Sequence, residues 1–246
     1  MSLSDRGWQV FPAEPATIDW ARSVSTEVSD ALKITERRHG ATWAPGVDLL
    51  KNDASGAVAG GVALVGEALV AAQSLFGPLP LHAAQVSAVW PGYPKQDPEE
   101  SDANHRYRRA RDAAHIDGLL PEGPNRRRHL REPHAWILGI GLTDTPAAPL
   151  VAWKGSAPVF RKAFTSAFEG VPPESWGDVD VTDLYQSTRR KVFETCARVE
   201  IPLQTGEGVL LDRHVLHGVA PWAGQDTGPR VTAFFRPELP TTAEWL

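Results

Sequence analysis

The sequence has little cysteine and lacks the segments that export a protein. Its 246 residues include one cysteine, Cys196, so a disulfide bridge within the chain and a cysteine-rich zinc site are both excluded. The first residues show neither the basic start nor the apolar run of a secretory signal. We therefore expect a protein of the cytoplasm.

An excess of basic charge is also lacking. The 25 Lys and Arg residues face 30 Asp and Glu residues, which gives a net charge of −5, so we expect no nucleic-acid partner. Residues 56–76 are largely apolar, and a membrane helix needs about 20 such residues. The polar Glu67, Gln73 and Ser74 in this segment and the absence of basic flanks favour a buried helix over a membrane span.

The hydrophobic pattern of the sequence changes after Pro80. An amphipathic helix is predicted over residues 17–35, whereas short apolar runs separated by Pro, Gly and Asp follow Pro80 and predict strands. The strands are predicted at 85–90, 134–142, 149–153, 209–216 and 231–235, and two helices at 156–170 and 180–198. We expect a single domain over 1–246, with a helical N-terminal wrap (1–80), a β core (81–238) and a helical insertion (156–198).

Two histidines and an aspartate form a candidate metal site. On a strand, His115 and Asp117 point to the same side while Ile116 packs behind them. A second imidazole, from His217 of the segment 208–218, would complete two histidines and one carboxylate on one side of an ion, as in non-haem Fe(II) oxygenases. His214 competes for this role, but its odd offset from His217 would place it on the opposite face of a strand.

A candidate anion site follows thirteen residues after His217. Alternation places Arg230 and Thr232 on one face of a strand. A guanidinium pairs bidentately with a carboxylate, and the neighbouring hydroxyl adds a hydrogen bond. The pair is therefore suited to hold the far end of a dicarboxylate.

These motifs resemble those of a known enzyme family. The HxD motif at His115–Asp117, a distant histidine in the context GVLLDRHVLHG, and the RVT segment at 230–232 are similar to the 2-oxoglutarate- and Fe(II)-dependent oxygenases. The segment 134–142 and the WKGS sequence at 153–156 resemble the phytanoyl-CoA dioxygenase-like branch more narrowly. The similarity covers about residues 84–237, although Ala157 stands where members of that branch often carry a histidine.

The resemblance implies a fold and an activity. It implies a mainly β protein with flanking helices (α+β), whose core is a double-stranded β-helix (a cupin-like jelly roll). His115, Asp117 and His217 would be the Fe(II) ligands, and Arg230 with Thr232 would bind the co-substrate 2-oxoglutarate. A small organic substrate would be hydroxylated by dioxygen, with release of succinate and CO2. Asp117 favours hydroxylation over halogenation, since related halogenases have a small residue at that position.

Two other functions use the same residues. Two histidines and a carboxylate also suit Zn(II) in a hydrolase, although Arg230 would then have no role. Alternatively, the jelly roll is a catalytically silent ligand-binding or structural module. The segment 101–131 carries eight arginines against four acidic residues; it either attracts an anionic substrate or, as we favour, forms a solvated surface near the acidic run 97–100.

Overall fold

Two antiparallel sheets form the core of the molecule. The computed structural model describes residues 3–225 and 227–246. Its strands are β1 (Trp8–Phe11), β2 (Trp43–Ala44), β3 (Gln85–Val89), β4 (Leu119–Glu122), β5 (Arg127–Leu130), β6 (Ile137–Gly141), β7 (Leu150–Lys154), β8 (Ala197–Ile201), β9 (Gly208–Leu211), β10 (His217–Val219) and β11 (Arg230–Phe235). The larger sheet has the order β1-β9-β6-β11-β3-β2 and the smaller β10-β7-β8, while β4 and β5 form a hairpin.

The inner faces of the two sheets share one apolar cluster. Strands of both sheets contribute Trp8, Ile137, Leu150, Ala152, Ile201, Val209 and Leu211 to it. His115 adds an isolated bridge to His217 at the edge of the smaller sheet. Two facing antiparallel sheets, whose neighbouring strands are mostly far apart in sequence, make a double-stranded β-helix. The predicted jelly-roll fold with flanking helices is therefore confirmed.

Helices cover the outer faces of the sheets. They are α1 (Leu3–Arg6), α2 (Pro15–Ile34), α3 (Glu67–Phe76), α4 (Asp102–Ala110), α5 (Ser156–Ala167) and α6 (Thr182–Thr195), with 3-10 turns at Pro173–Asp178 and Thr242–Trp245. The apolar stripe of α2 faces the larger sheet, where the rings of Trp20 and Phe235 lie 5.7 Å apart. The helix predicted at 17–35 is confirmed within two residues, but the N-terminal 80 residues also supply β1 and β2.

The buried helix predicted at 56–76 is wrong over its first half. The helix begins at Glu67, after Gly66 at φ +140°. Gly56 and Gly60 also have positive φ, a conformation outside the helical region that glycine adopts without steric cost. The part of this segment before Glu67 therefore forms turns, although its composition is apolar.

Two other predicted boundaries are corrected by pairing between distant segments. The helix predicted at 180–198 ends at Thr195, because residues 197–201 form β8 against β7. The strand predicted at 209–216 ends at Leu211, and residues 212–216 form a turn before β10. His214 therefore lies in a turn, where the side-chain alternation of a strand does not hold.

Within residues 3–225 and 227–246, no helix is long and apolar enough to span a membrane.

Candidate metal centre and anion site

Backbone pairing brings the two candidate histidines together. His115 donates its N–H to the carbonyl of His217 at 2.8 Å, and His217 donates its own to the carbonyl of His115 at 3.1 Å. Their rings lie 4.8 Å apart, centroid to centroid. Two segments about a hundred residues apart in sequence thus present both imidazoles at one end of the smaller sheet.

Asp117 completes the cluster. Its Oδ1 atom lies 3.1 Å from Nε2 of His115 and 3.7 Å from Nε2 of His217. One ligand atom from each of the three residues can be chosen so that all lie within 4.8 Å of one another. The HxD residues do not lie in a regular strand, since His115 forms a single bridge and Asp117 begins a turn.

The backbone orients both imidazoles toward Asp117. Nδ1 of His115 lies 3.1 Å from the carbonyl of Ala113, and Nδ1 of His217 lies 3.0 Å from that of Val215. A proton on each Nδ1 satisfies these carbonyls and leaves the Nε2 lone pair free to bind a metal. The His115 side chain is 47% exposed, so the cluster opens to solvent on that side.

Arg236 was missed by the sequence analysis. Its Nη1 atom donates to Oδ2 of Asp117 at 3.2 Å, which leaves Oδ1 for the two imidazoles. The signal was present in the sequence, because the alternation that places Arg230 and Thr232 on one face of β11 extends two steps further to Arg236. We read Arg236 as the residue that orients the carboxylate.

Electrostatics keep Asp117 and His217 in forms that can bind a metal. Burial alone would raise the pKa of Asp117, but the hydrogen bond with His115 and the charges of nearby His217 and Arg236 outweigh it and hold this pKa well below its usual value. Burial lowers the pKa of His217 to about 4. At neutral pH the site therefore offers an ionised carboxylate and a neutral His217 imidazole.

Arg230 is buried with one hydrogen-bonding group unused. Its Nε donates to the carbonyl of Ala148 at 3.0 Å, and its Nη1 donates to Oγ1 of Thr232 at 3.0 Å. Nη2 is buried and has no hydrogen-bond partner among the described residues. A buried, unsatisfied donor on a charged group is costly, and an anion beside it would remove that cost.

Arg230 and His217 both face the space between the sheets. His217 is the cross-strand partner of Ala152, which packs in the inner apolar cluster, and cross-strand partners project to the same face. Along β11, Arg230 shares its face with Phe234, which packs against the same cluster. The candidate metal ligands and the candidate anion site thus share one interior.

Hydrogen bonds with several side chains stabilise the turn that precedes His217. Ser156 accepts a hydrogen bond from the backbone N–H of Leu216 at 2.9 Å, a role that the sequence analysis did not assign. The buried Arg213 donates to the carbonyls of Trp245 at 2.7 Å, Glu244 at 2.8 Å and Ala135 at 3.1 Å. The C-terminal turn therefore supports the segment that leads to His217.

His214 does not join the cluster. It is fully buried, and its ring packs edge-on against Trp245 at 4.4 Å between ring centroids. Neither of its ring nitrogens has a hydrogen-bond partner within the part of the chain that the structure describes. His214 is therefore a core residue, and His217 is the histidine near Asp117.

Three of the eight arginines in the segment 101–131 form ion pairs among the described residues. Arg127 pairs with Asp180 and Asp183, and Arg131 pairs with Glu122. These contacts tie the β4–β5 hairpin to the start of α6 and to itself. They favour the solvated-surface interpretation of this segment over an anion-binding entrance.

The residues fit the group that the resemblance implies. Two imidazoles and one carboxylate oxygen, held on one side of a point and open on the other, suit Fe(II) with free coordination positions. The unused Nη2 of Arg230 fits a carboxylate partner. The same three ligands also suit Zn(II), so the donor set alone does not choose between the two metals.

Solved structures of other proteins share this fold. The chain is similar to SnoK, a non-heme alpha ketoglutarate dependent carbocyclase from nogalamycin biosynthesis, with a TM-score of 0.56 and 13% identity over 96% of this chain and 81% of that one. It is similar to EvdMO1 with a TM-score of 0.51 and 14% identity, over 97% of this chain but 48% of the other. No protein-family description and no curated protein matches the sequence.

These similarities confirm the fold class. The chain has the double-stranded β-helix of SnoK, whose co-substrate, alpha-ketoglutarate, is the same compound as 2-oxoglutarate. At 13% identity the likeness extends to the fold alone. The narrower resemblance to the phytanoyl-CoA dioxygenase-like branch stays a prediction.

Proposed function

We propose that the protein is an Fe(II)- and 2-oxoglutarate-dependent dioxygenase that hydroxylates a small organic substrate. The observation that carries this proposal is the convergence of His115, Asp117 and His217 around one point, facing the same interior as the buried Arg230. A zinc hydrolase would use the three ligands but would leave this cation without a function. The fold shared with SnoK is consistent with the proposal.

Each residue has a distinct role under this proposal. His115, Asp117 and His217 would hold the ferrous ion. Burial lowers the pKa of Arg230 to about 10, so its guanidinium remains charged at neutral pH and would pair with the C5 carboxylate of 2-oxoglutarate, assisted by the hydroxyl of Thr232. Once bound, iron and 2-oxoglutarate together supply the activation of dioxygen, with succinate and CO2 as products.

The chain's own residues would exclude water from the co-substrate and hold it in position. A small gap beside Arg230 and Thr232 is lined by apolar side chains that include Leu150, Ile201 and Leu203. Low polarity strengthens the pairing of a guanidinium with a carboxylate. These side chains would therefore exclude water from the far end of the co-substrate.

A cavity beside Arg236 is the proposed substrate site. It has a volume of about 390 Å³ and is lined by His82, Glu132, His134, Arg236 and Glu238, among others. This volume is in the range of small-molecule sites. Since Arg236 also contacts Asp117, a molecule in this cavity would lie close to the metal.

Anaerobic titration tests the proposal. With Fe(II) and 2-oxoglutarate present, we expect the weak visible charge-transfer band of the iron chelate, and oxygen should then convert 2-oxoglutarate to succinate. His217→Ala should abolish the band, whereas His129→Gln, on β5 and outside the cluster, should retain it. Arg230→Ala should raise the Kd of 2-oxoglutarate at least tenfold while elemental analysis still finds iron, and Thr232→Val should have a smaller effect.

The alternatives give different outcomes. Metal-dependent hydrolysis that is indifferent to 2-oxoglutarate and to oxygen would establish the zinc hydrolase instead. Absence of both the band and succinate, with every substrate tried, would favour a catalytically silent module.

We also propose one domain and a cytoplasmic location. One apolar cluster includes Trp20 of α2, Ala72 of α3 and Phe235 of β11, which supports a single folding unit. The only cysteine, Cys196, is free, as suits a reducing compartment.

A further inference from the structure

A second group of histidines and carboxylates lies outside the candidate metal centre. It joins the turn around His39, which precedes β2, to the segment that carries Asp97, Glu100 and His105 at the start of α4. His39, Asp97 and Glu100 each offer one ligand atom, and these atoms lie within 4.8 Å of one another. Nδ1 of His105 lies 3.7 Å from Oε2 of Glu100, so a second imidazole is within reach.

The backbone holds this group in place. Asp97 accepts hydrogen bonds from the backbone N–H groups of His39 at 2.9 Å and Gly40 at 2.6 Å. The imidazole of His39 stacks on Trp43, with 5.2 Å between centroids and 4° between planes. His39 therefore cannot turn away without losing its packing, and Asp97 is fixed beside it.

Several buried polar atoms of this group are left unsatisfied. Nε2 of His39, Oε2 of Glu100 and Nδ1 of His105 have no hydrogen-bond partner among residues 3–225 and 227–246, while Nδ1 of His39 lies 3.3 Å from Oδ2 of Asp97. His39 is 8% exposed, and the Glu100 side chain is also 8% exposed. An unpaired polar group is costly to bury, so their convergence indicates a missing common partner.

The charge and protonation state of the group suit a cation. Burial lowers the pKa of His39 below its usual value, against the opposing effect of Glu100 and Asp97, so its imidazole is neutral and has a free lone pair at neutral pH. Arg108 contacts Glu100 through Oε1 at 2.5 Å and leaves Oε2 free. Two carboxylates against one guanidinium leave the pocket net negative.

We propose that His39, Asp97, Glu100 and His105 bind a divalent transition-metal ion, with Zn²⁺ as the best match. Two imidazole nitrogens and two carboxylate oxygens are a donor set that Zn²⁺ accepts in tetrahedral geometry. Magnesium and calcium prefer oxygen ligands alone. A zinc ion would satisfy one ring nitrogen of His39, Oε2 of Glu100 and Nδ1 of His105 at once.

The ion would act as a structural clamp. The four ligands join the turn before β2 to the start of α4, and α4 leads within five residues to His115. Tyr107 on α4 donates its hydroxyl to the carbonyl of Ala114 at 2.7 Å, next to that histidine. Fixing the start of α4 therefore stabilises the segment that presents His115.

Metal counting in a protein without the first site tests this proposal. In the double variant His115→Ala/His217→Ala, dialysed against buffered micromolar Zn²⁺, we expect about one zinc per chain by elemental analysis. Adding Glu100→Gln or His39→Gln should raise the Kd for zinc at least tenfold, because each removes one ligand. Adding His129→Gln, a histidine of β5 remote from the group, should leave the zinc count unchanged.

Controls keep the result interpretable. Far-UV circular dichroism establishes that each variant is folded; Glu100→Gln preserves side-chain shape and decides the matter if His39→Gln unfolds. Co²⁺ should give tetrahedral visible bands in the double variant that Glu100→Gln removes. A double variant without zinc, or a zinc affinity unaffected by Glu100→Gln, overturns the proposal, and neither result depends on the oxygenase activity.

Discussion

At the scale of single residues, Arg236 sets how Asp117 can bind a metal. Its guanidinium holds Oδ2, so the carboxylate would bind a metal through Oδ1 alone. A carboxylate bound through one oxygen leaves more coordination positions for the proposed ligands, 2-oxoglutarate and dioxygen. Arg236 is not itself a candidate ligand, yet it thereby influences how many coordination positions of the metal stay open.

Under the proposed function, Arg236→Met should weaken iron binding. Loss of a residue that orients a metal ligand typically costs 10–100-fold in metal affinity, and we expect a loss of that order here, measured by competition with a chelator under anaerobic conditions. Arg236→Lys, which retains the charge, should recover part of it. Equal affinities in the wild type and Arg236→Met would show that Arg236 does not orient Asp117.

Gly218 allows the two candidate histidines to pair. A Cβ at this position would lie 2.2 Å from the carbonyl oxygen of Asp112 and 3.1 Å from the Cα of Ala114, both in the backbone just before His115. Gly218→Ala should therefore lower the free energy of unfolding by roughly 2–3 kcal/mol, measured by urea denaturation. The control Gly228→Ala, whose Cβ would meet no described atom within 4 Å, should change it by less than about 0.5 kcal/mol.

At the scale of elements, β8 supports the segment that carries His115. Arg198 on β8 donates through Nε at 2.7 Å and through Nη2 at 2.9 Å to the carboxylate of Asp112. Asp112 is 2% exposed, and its carbonyl also accepts the N–H of Val219 at 2.9 Å. A strand far along the chain thus fixes the approach to His115.

Arg198→Ala should destabilise the protein. It leaves the Asp112 carboxylate buried without its ion pair, which costs about 3–5 kcal/mol for a fully buried pair; because Arg198 is partly exposed, we expect roughly 2 kcal/mol in urea denaturation. Glu200→Gln, which removes only an exposed partner of Arg198, should cost less than about 0.5 kcal/mol. Similar losses in the two variants would contradict this role for the Asp112 pair.

The elements differ in how far the sequence predicts them. The strands β3, β6, β7 and β11 are short apolar runs bounded by turn residues, and local pattern alone predicts them. Three of the five residues of β8 are exposed, and the strand follows α6 without a turn signal, so only its pairing with β7 reveals it. β1 has four residues and pairs with β9 about two hundred residues away, which no local pattern indicates.

The candidate site shows the same limit. Residue type and spacing predicted His115, Asp117, His217 and Arg230 as a group because the motif itself carries the chemistry. Their geometry differs in part from the predicted one, since the HxD segment forms one bridge rather than a strand. Ser156 and Arg213 act through contacts with distant backbone atoms, which sequence spacing does not encode.

At the scale of the whole molecule, buried neutral histidines make stability depend on pH. Burial lowers the pKa of His214 well below its usual value, whereas an unfolded chain has a histidine pKa of about 6.5. Below that pH the unfolded state takes up a proton that the folded state excludes. Stability is therefore present above about pH 6.5 and falls as the pH decreases, by about 1.4 kcal/mol per pH unit for each such histidine.

His214→Leu should reduce this acid sensitivity. Between about pH 7.5 and about pH 5.5, in the presence of a chelator, the loss in the free energy of unfolding should be smaller in the variant by roughly 1.4 kcal/mol. Urea denaturation at the two pH values provides the measurement. Identical losses in both proteins would mean that His214 titrates normally in the folded state.

The hydrogen bonds from Arg213 to the C-terminal turn have a consequence for C-terminal truncation. Trp245 is fully buried, and its carbonyl and that of Glu244 accept two of the three hydrogen bonds from this guanidinium. Deleting the last few residues would remove these acceptors and uncover the ring of His214. Trimming by a protease at that end would therefore disturb the candidate metal centre about thirty residues upstream, although no candidate ligand had been cut away.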